Sequence, residues 1–434
     1  MTNWPLYRVY GGPVAVSLLF AVLAWAMRFH GGYPICHNDE VNWMGIAEQL
    51  DSGVHWPVSG PAFIETVRFI SANAELPHAH TLSALGIGCV FLSILLLWWG
   101  YRKLGLVSPA SVLMALVLSS YFWAPLMESR PQQWGQMLVF AGIICAWQWL
   151  HRQGGWMFFL IVPVIAVLHI LSHAILIFLC AVLVFVDCLE RRPLGIRHVL
   201  LGVYLLISLG IYLLPHGPYA AMLMDLQQVH LKRFWATGNT VFWVLGGGAI
   251  LFLLCLRYGH WRPSWNDAIA QAMLRNSTAM ALSLMCIVLT ALAMQAYLLP
   301  AAAWMPYKGS LLRFVFVQLG NVLFAAFFVV GIFGLVSGVR ADQFDVQKAR
   351  VLIVLLIGFG ALSGVAIAAS WWLLDTNWFL RVLNYGVFFA AIICSIGVRI
   401  TMQSRPIYAI WGVLGAGVLA SIIAVIRPPQ LLGC

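Results

Sequence analysis

The chain has 434 residues, 62% hydrophobic and only 9% charged, with a formal net charge of +10 and a mean hydropathy of +0.91. A soluble domain carries about a quarter charged residues, so the composition excludes a soluble globule. Apolar runs of roughly 18 residues or more recur along the chain, each long enough to cross a bilayer core of about 30 Å. The short alternating strands of a transmembrane barrel are absent. The expected fold is an all-α polytopic membrane protein. No basic run accompanies the positive charge, so no nucleic-acid partner is expected.

The pattern predicts about thirteen spans of bilayer length, near 11–29, 82–100, 109–127, 132–150, 155–171, 172–189, 198–215, 239–256, 279–300, 313–338, 351–371, 383–398 and 407–426. The first lacks a small-residue cleavage site and reads as a retained helix rather than a signal peptide. The pair 155–171 and 172–189 is divided only by Leu171-Ser172-His173. With the N-terminus in the cytoplasm, every inner segment is basic, from Arg8, Arg102 and Lys103 through Arg152, Arg191 and Arg197 to Arg350 and Arg405. The acids concentrate on the other side, where Asp39, Glu40, Glu48, Asp51, Glu65 and Glu75 all lie in the loop 30–80. The polar chemistry is therefore expected outside the cytoplasm, where nucleotide-activated substrates are not normally supplied.

Within that loop, Asp39 and Glu40 can start a helix, because carboxylates suit its positive N-terminal end. Trp43, Ile46, Ala47 and Leu50 then form an apolar stripe, Gly53 ends the helix, and Pro57 prevents its return. A second amphipathic stretch, Pro61 to Glu75, presents Phe63, Val67 and Ile70 at helical spacing. Both are expected to lie in the membrane interface. A later outer segment, 216–238, is also amphipathic and carries Lys232 and Arg233. Most of the nine cysteines fall inside spans, where they pack as small hydrophobes, and no CxxC pair occurs. No repeat, low-complexity tract or linker divides residues 1–434, which are read as one domain.

The first candidate for chemistry is the pair Asp39-Glu40. A carboxylate at the head of an interfacial helix can serve as a general base or a metal ligand, and equally as a cap facing water. The second is the turn Glu128-Ser129-Arg130-Pro131 between the third and fourth spans. Pro131 suits the first turn of a helix, which leaves Glu128 and Arg130 at its mouth. A guanidinium offers a fixed fork of donors to a phosphate, or to Glu128 itself.

An Asp-Glu step just after the first helix, an interfacial helix, and a Glu-x-Arg-Pro turn before the fourth helix together resemble the GT-C membrane glycosyltransferases. The likeness is to the branch of protein O-mannosyltransferases and the lipid A aminoarabinose transferase. It covers roughly residues 1–190, and Pro131 is followed by Gln132-Gln133 where relatives often carry an aromatic. The resemblance implies a GT-C-type bundle and a sugar donor linked to a polyprenyl phosphate, used on the outer face of a bacterial inner membrane. The acceptor would be a lipid-linked glycan, a lipid or a protein. It implies Asp39, with Glu40 as rival, as the catalytic base of an inverting transfer, and Arg130 as a ligand of the donor phosphate. Arg381, near the start of a late span, corresponds to a further phosphate-binding arginine.

Lys308 and Arg313 suit the donor phosphate or interfacial anchoring among Trp and Tyr belts. His37, His78 and His80 are supporting residues of the polar loop. His78 and His80 could hold a divalent cation, Mg or Mn, with His37 or Glu75, but their i, i+2 spacing argues against it, and no metal ligand is assigned. Other readings are an O-antigen polymerase or ligase, and a transporter or flippase. The first wants a large late outer loop, the second charges at mid-membrane and two similar halves.

Overall fold

The structure is a computed structural model that describes residues 6–28, 38–49, 61–119, 122, 129–189, 195–213, 311–340, 344–373, 377–404, 412 and 414–419. Among the described residues there is helix and no strand. The elements are α1 (Leu6–Arg28), α2 (Asn38–Gln49), α3 (Pro61–Ala74), α4 (His78–Leu104), α5 (Pro109–Leu116) and α6 (Pro131–Leu150). There follow α7 (Phe158–Leu168), α8 (Ile170–Leu189), α9 (Ile196–Leu209) with a 3-10 turn to Leu213, α10 (Leu311–Arg340), α11 (Val346–Leu373) and α12 (Asn377–Ser404). Among the described residues three stretches, His78–Leu104, Ile170–Asp187 and Asn384–Met402, are long and apolar enough to cross a membrane. Leu18, Leu19 and Val22 on α1 and Leu206 and Ile207 on α9 are exposed, the apolar exterior expected of a surface that faces lipid.

α6 sits at the centre. Among its residues only Trp134, Leu138 and Trp149 are partly exposed, because the helix is wrapped by α4, α7, α8 and α12. Phe140 meets Tyr101 of α4 and Phe388 and Phe389 of α12 edge-on or tilted. Glycines let helices approach closely, as small residues do in membranes. A Cβ at Gly331 of α10 would strike the Ile393 carbonyl of α12, and one at Gly397 of α12 would strike the Phe327 carbonyl of α10.

Contacts along these helices fix their directions. α6 and α12 run parallel, since Gly135 lies beside Ser172, which bonds Tyr385, while Phe140 meets Phe388. α8 and α11 run antiparallel, pairing Leu179 with Gly358 and Asp187 with Arg350. The end of α1 and the starts of α4, α6 and α12 consequently gather at one end of the bundle. At the other end Asp187 meets Arg350 at 3.5 Å and His198 at 3.3 Å, and Arg197 stacks over Trp149.

The interfacial helices expected in the loop 30–80 are α2 and α3. Ala47 of α2 packs with Phe63, Ile64 and Val67 of α3 and Leu82 of α4, flanked by Trp43, Trp134 and Leu168. Val41 and Glu48, off the apolar stripe, stay exposed, whereas Met44, on the same side of the helix, packs against the cluster. Two boundaries differ from expectation. The third span was expected over 109–127, but α5 stops at Leu116. The N–H groups of Leu118 and Ser119 turn to i−3 carbonyls, and Ser119 donates its hydroxyl to Asn321 of α10 at 3.3 Å. The fifth and sixth spans divide at His169 rather than at Leu171–His173, because the His169 ring accepts the Ser172 N–H at 3.2 Å and caps α8. The predicted spans 239–256 and 279–300 and the outer segment 216–238 lie outside the described residues, as does most of 407–426.

Candidate functional site

α1 ends on Arg28, a cation at the negative end of the helix dipole. Instead of reaching for water, its side chain is 1% exposed. Nη1 donates to Glu40 Oε1 at 2.6 Å and Nη2 to Oε2 at 2.7 Å, a two-point fork onto a carboxylate that is fully buried in the first turn of α2. Nη2 also donates to Ser83 Oγ of α4 at 3.2 Å. Three residues along α4, Gly86 leaves room for this cluster: a Cβ there would lie 3.0 Å from Ser129 Cβ and 3.3 Å from Arg28 Nη1.

Glu40 Oε1 also accepts the backbone N–H of Ser129 in a short bond. This bond joins the Asp39-Glu40 step to the Ser129-Arg130-Pro131 turn across 89 residues of chain. Arg130 then caps α6 from an extended conformation (φ −148°, ψ 161°), its carbonyl accepting the Gln133 N–H at 3.0 Å, and Pro131 takes the first helical position. The start of α6 therefore sets a half-buried arginine at the cap of a helix N-terminus, residue types suited to an anion.

Below that mouth lies a second polar layer. Tyr385 of α12 and Ser172 of α8 share a hydrogen bond of 2.7 Å, and Ser172 bonds His169 Nδ1 at 2.7 Å. His173 is tied to Tyr212 at 2.7 Å and Ser208 at 2.9 Å. On α6, Gln132 and Gln136 are buried on the side towards this layer, and Gln133 is buried against α4, where it donates to the Gly86 carbonyl.

Of the residues singled out in the sequence, Glu40 and the Ser129–Arg130 turn are brought together. Asp39 stands in the first turn of α2, Arg313 in the first turn of α10 and Arg381 in the second turn of α12, each described only in its backbone. The shared direction of α6 and α12 puts Arg130 and the backbone of Arg381 at the same end. His78 and His80 open α4 at that end, His78 partly and His80 well exposed, and neither joins the Arg28 cluster. His37, Glu128 and Lys308 lie outside the described residues. Among the described residues no three His, Cys, Asp or Glu side chains come together as a metal site.

Arg28 and the glutamines are additions that sequence reasoning passed over. The signal for Arg28 was a cation closing an apolar helix twelve residues before an acidic step. For the glutamines it was three amides in the opening of an otherwise apolar span, where polar groups are costly. No protein-family model, curated protein or solved structure matches the chain.

Proposed function

We propose that the protein is an integral membrane glycosyltransferase that moves a sugar from a polyprenyl-phosphate donor to a membrane-associated glycan, lipid or protein acceptor. The observation that carries this reading is the Glu40–Ser129 hydrogen bond, which brings an acidic step and an arginine-capped helix start into one polar patch at an end of the bundle. Both oxygens of Glu40 are held by Arg28, so Glu40 anchors α2. Asp39, about 100° around the helix, is then the general base.

In the reaction, Asp39 takes the proton from an acceptor hydroxyl as its oxygen forms a bond to the anomeric carbon. The bond from that carbon to the phosphate oxygen breaks, and the electron pair leaves on polyprenyl phosphate. Arg130 and Arg381, with the starts of α6 and α12, hold that phosphate and stabilise the charge it gains. The basic segments expected at the opposite end support an extracytoplasmic position for the patch, where a lipid-linked donor would replace the missing nucleotide sugars.

The test is a transfer assay with purified protein in nanodiscs, a panel of polyprenyl-phosphate sugars and membrane-lipid and glycan acceptors, read by mass spectrometry. The expected result is an acceptor mass increase of one sugar residue with release of free polyprenyl phosphate. Absence of transfer and of donor consumption across the panel would refute the reading.

A further inference from the structure

Gln132 and Gln136 lie four residues apart on α6, so one stands directly above the other. They are 4% and 1% exposed. Their bearing follows from their neighbours. Gly135 faces Ser172 and His169, Gln133 donates to the Gly86 carbonyl of α4 at 3.5 Å, and Phe140, one turn below Gln136, meets α12 at Phe388 and Phe389. Gln132 and Gln136 thus occupy the strip between α8 and α4, towards α12. Because α6 and α12 run parallel, Gln136 is level with the turn of Asn384 and Tyr385, and Gln132 with the turn above it.

Among the described residues the Gln136 carboxamide has no hydrogen-bond partner at either Oε1 or Nε2, and Gln132 Nε2 has none either. Unpaired buried amides are costly, and more so at membrane depth. The three atoms offer one acceptor and two sets of donors on adjoining turns. A phosphate only accepts, so it would leave Oε1 facing an anion. A metal ion would leave the amide hydrogens unused. Hydroxyl groups on a ring both give and take hydrogen bonds, and they match the set.

We propose that Gln136, with Gln132 above it, is a subsite that reads the hydroxyls of a sugar ring, and that the ring is the one carried by the donor. This rests on the transferase reading above. The donor is favoured over the acceptor glycan because the two amides descend α6 directly from the Arg130 cap, so a ring seated there hangs from a phosphate held at the cap. The Tyr385 hydroxyl, bonded to Ser172, closes the layer beside it.

The experiment measures equilibrium binding to the full-length protein in nanodiscs. The probes are undecaprenyl phosphate, its hexose, pentose and aminopentose conjugates, and free oligosaccharides of the same sugars. Wild-type protein should bind at least one conjugate more tightly than bare carrier. Gln136→Leu should remove that advantage by about tenfold or more while leaving the affinity for bare carrier unchanged. Leu at this site should hold or raise the unfolding temperature, since it replaces an unpaired amide, and Gln132→Leu provides the same comparison should Gln136→Leu not fold. An advantage that survives in both variants overturns the subsite and leaves the transferase reading standing. Equal loss for bare and glycosylated carrier, or a wild type that does not distinguish them, also overturns it. Failure of wild-type protein to bind any carrier form overturns both readings. Loss of free-oligosaccharide binding alone, with the conjugate's advantage intact, moves the subsite to the acceptor and overturns the donor assignment.

Discussion

The Arg28–Glu40 pair invites the most direct perturbation, because both partners are sealed from water and three helices meet on it. Glu40→Gln keeps the shape of the side chain and an acceptor for the Ser129 N–H, but it leaves the Arg28 charge buried against a neutral amide. Removing one partner of a buried ion pair costs about 3–5 kcal/mol. The fork of 2.6 and 2.7 Å, the Ser83 contact and the exposures of 1% and 0% place this pair among the well-formed cases. The Ala47–Phe63 cluster still holds α2 on its other side, so the cost falls on local opening of the helix. At 1.36 kcal/mol per tenfold change, amide hydrogen exchange across 38–49 should accelerate roughly 150- to 5000-fold. The double variant Arg28→Met/Glu40→Leu should recover most of the protection, because an apolar pair of similar volume avoids the desolvation penalty altogether. Exchange in Glu40→Gln within about threefold of wild type would refute the assignment of Glu40 as the anchor of α2.

Other substitutions probe the rest of the site and its frame. Asp39→Asn should lower the transfer rate by about 10²–10⁴ while leaving donor affinity nearly intact; a full rate in this variant would move the base elsewhere. Arg130→Ala should weaken binding of undecaprenyl phosphate by roughly 10- to 150-fold, the worth of a charge-assisted hydrogen bond at about 1.5–3 kcal/mol, and unchanged affinity would take the phosphate away from the start of α6. Gly397→Leu puts a side chain where the Phe327 carbonyl of α10 sits. It should therefore lower the unfolding temperature and the monodisperse yield, whereas Gly360→Leu, at a position open to its surroundings, should change neither.

Much of the architecture is legible in residue order because it depends on short-range pattern. Apolar runs of bilayer length became α1, α4, α6, α8 and α12, and the stripe through Trp43, Ile46 and Ala47 became the buried face of α2. Boundaries shifted where a side chain intervened from nearby or from another helix: His169 capping α8, and Ser119 turning to Asn321. Within the site, the acidic step and the arginine-capped turn could be singled out by residue type. Their meeting could not be read from spacing, because it runs through Arg28 at the end of α1 and through Gly86 of α4, which leaves room for Arg28 and Ser129.

The sequence by itself determined the class of protein: a charge-poor, apolar chain has to bury its backbone polar groups in helices, and its few carboxylates mark where polar chemistry can occur. It also determined that Asp39 and Glu40 share a helix start. The tertiary structure alone decided that Glu40 belongs to Arg28 and Ser129, since successive residues on a helix point about 100° apart and only the packing of α1, α4 and the 129–131 turn selects between them. It decided, too, that Gln132 and Gln136 face α12 rather than lipid, because the direction of α12 along α6 is set by contacts far apart in sequence, such as Phe140 with Phe388 and Gly135 beside Ser172, which bonds Tyr385.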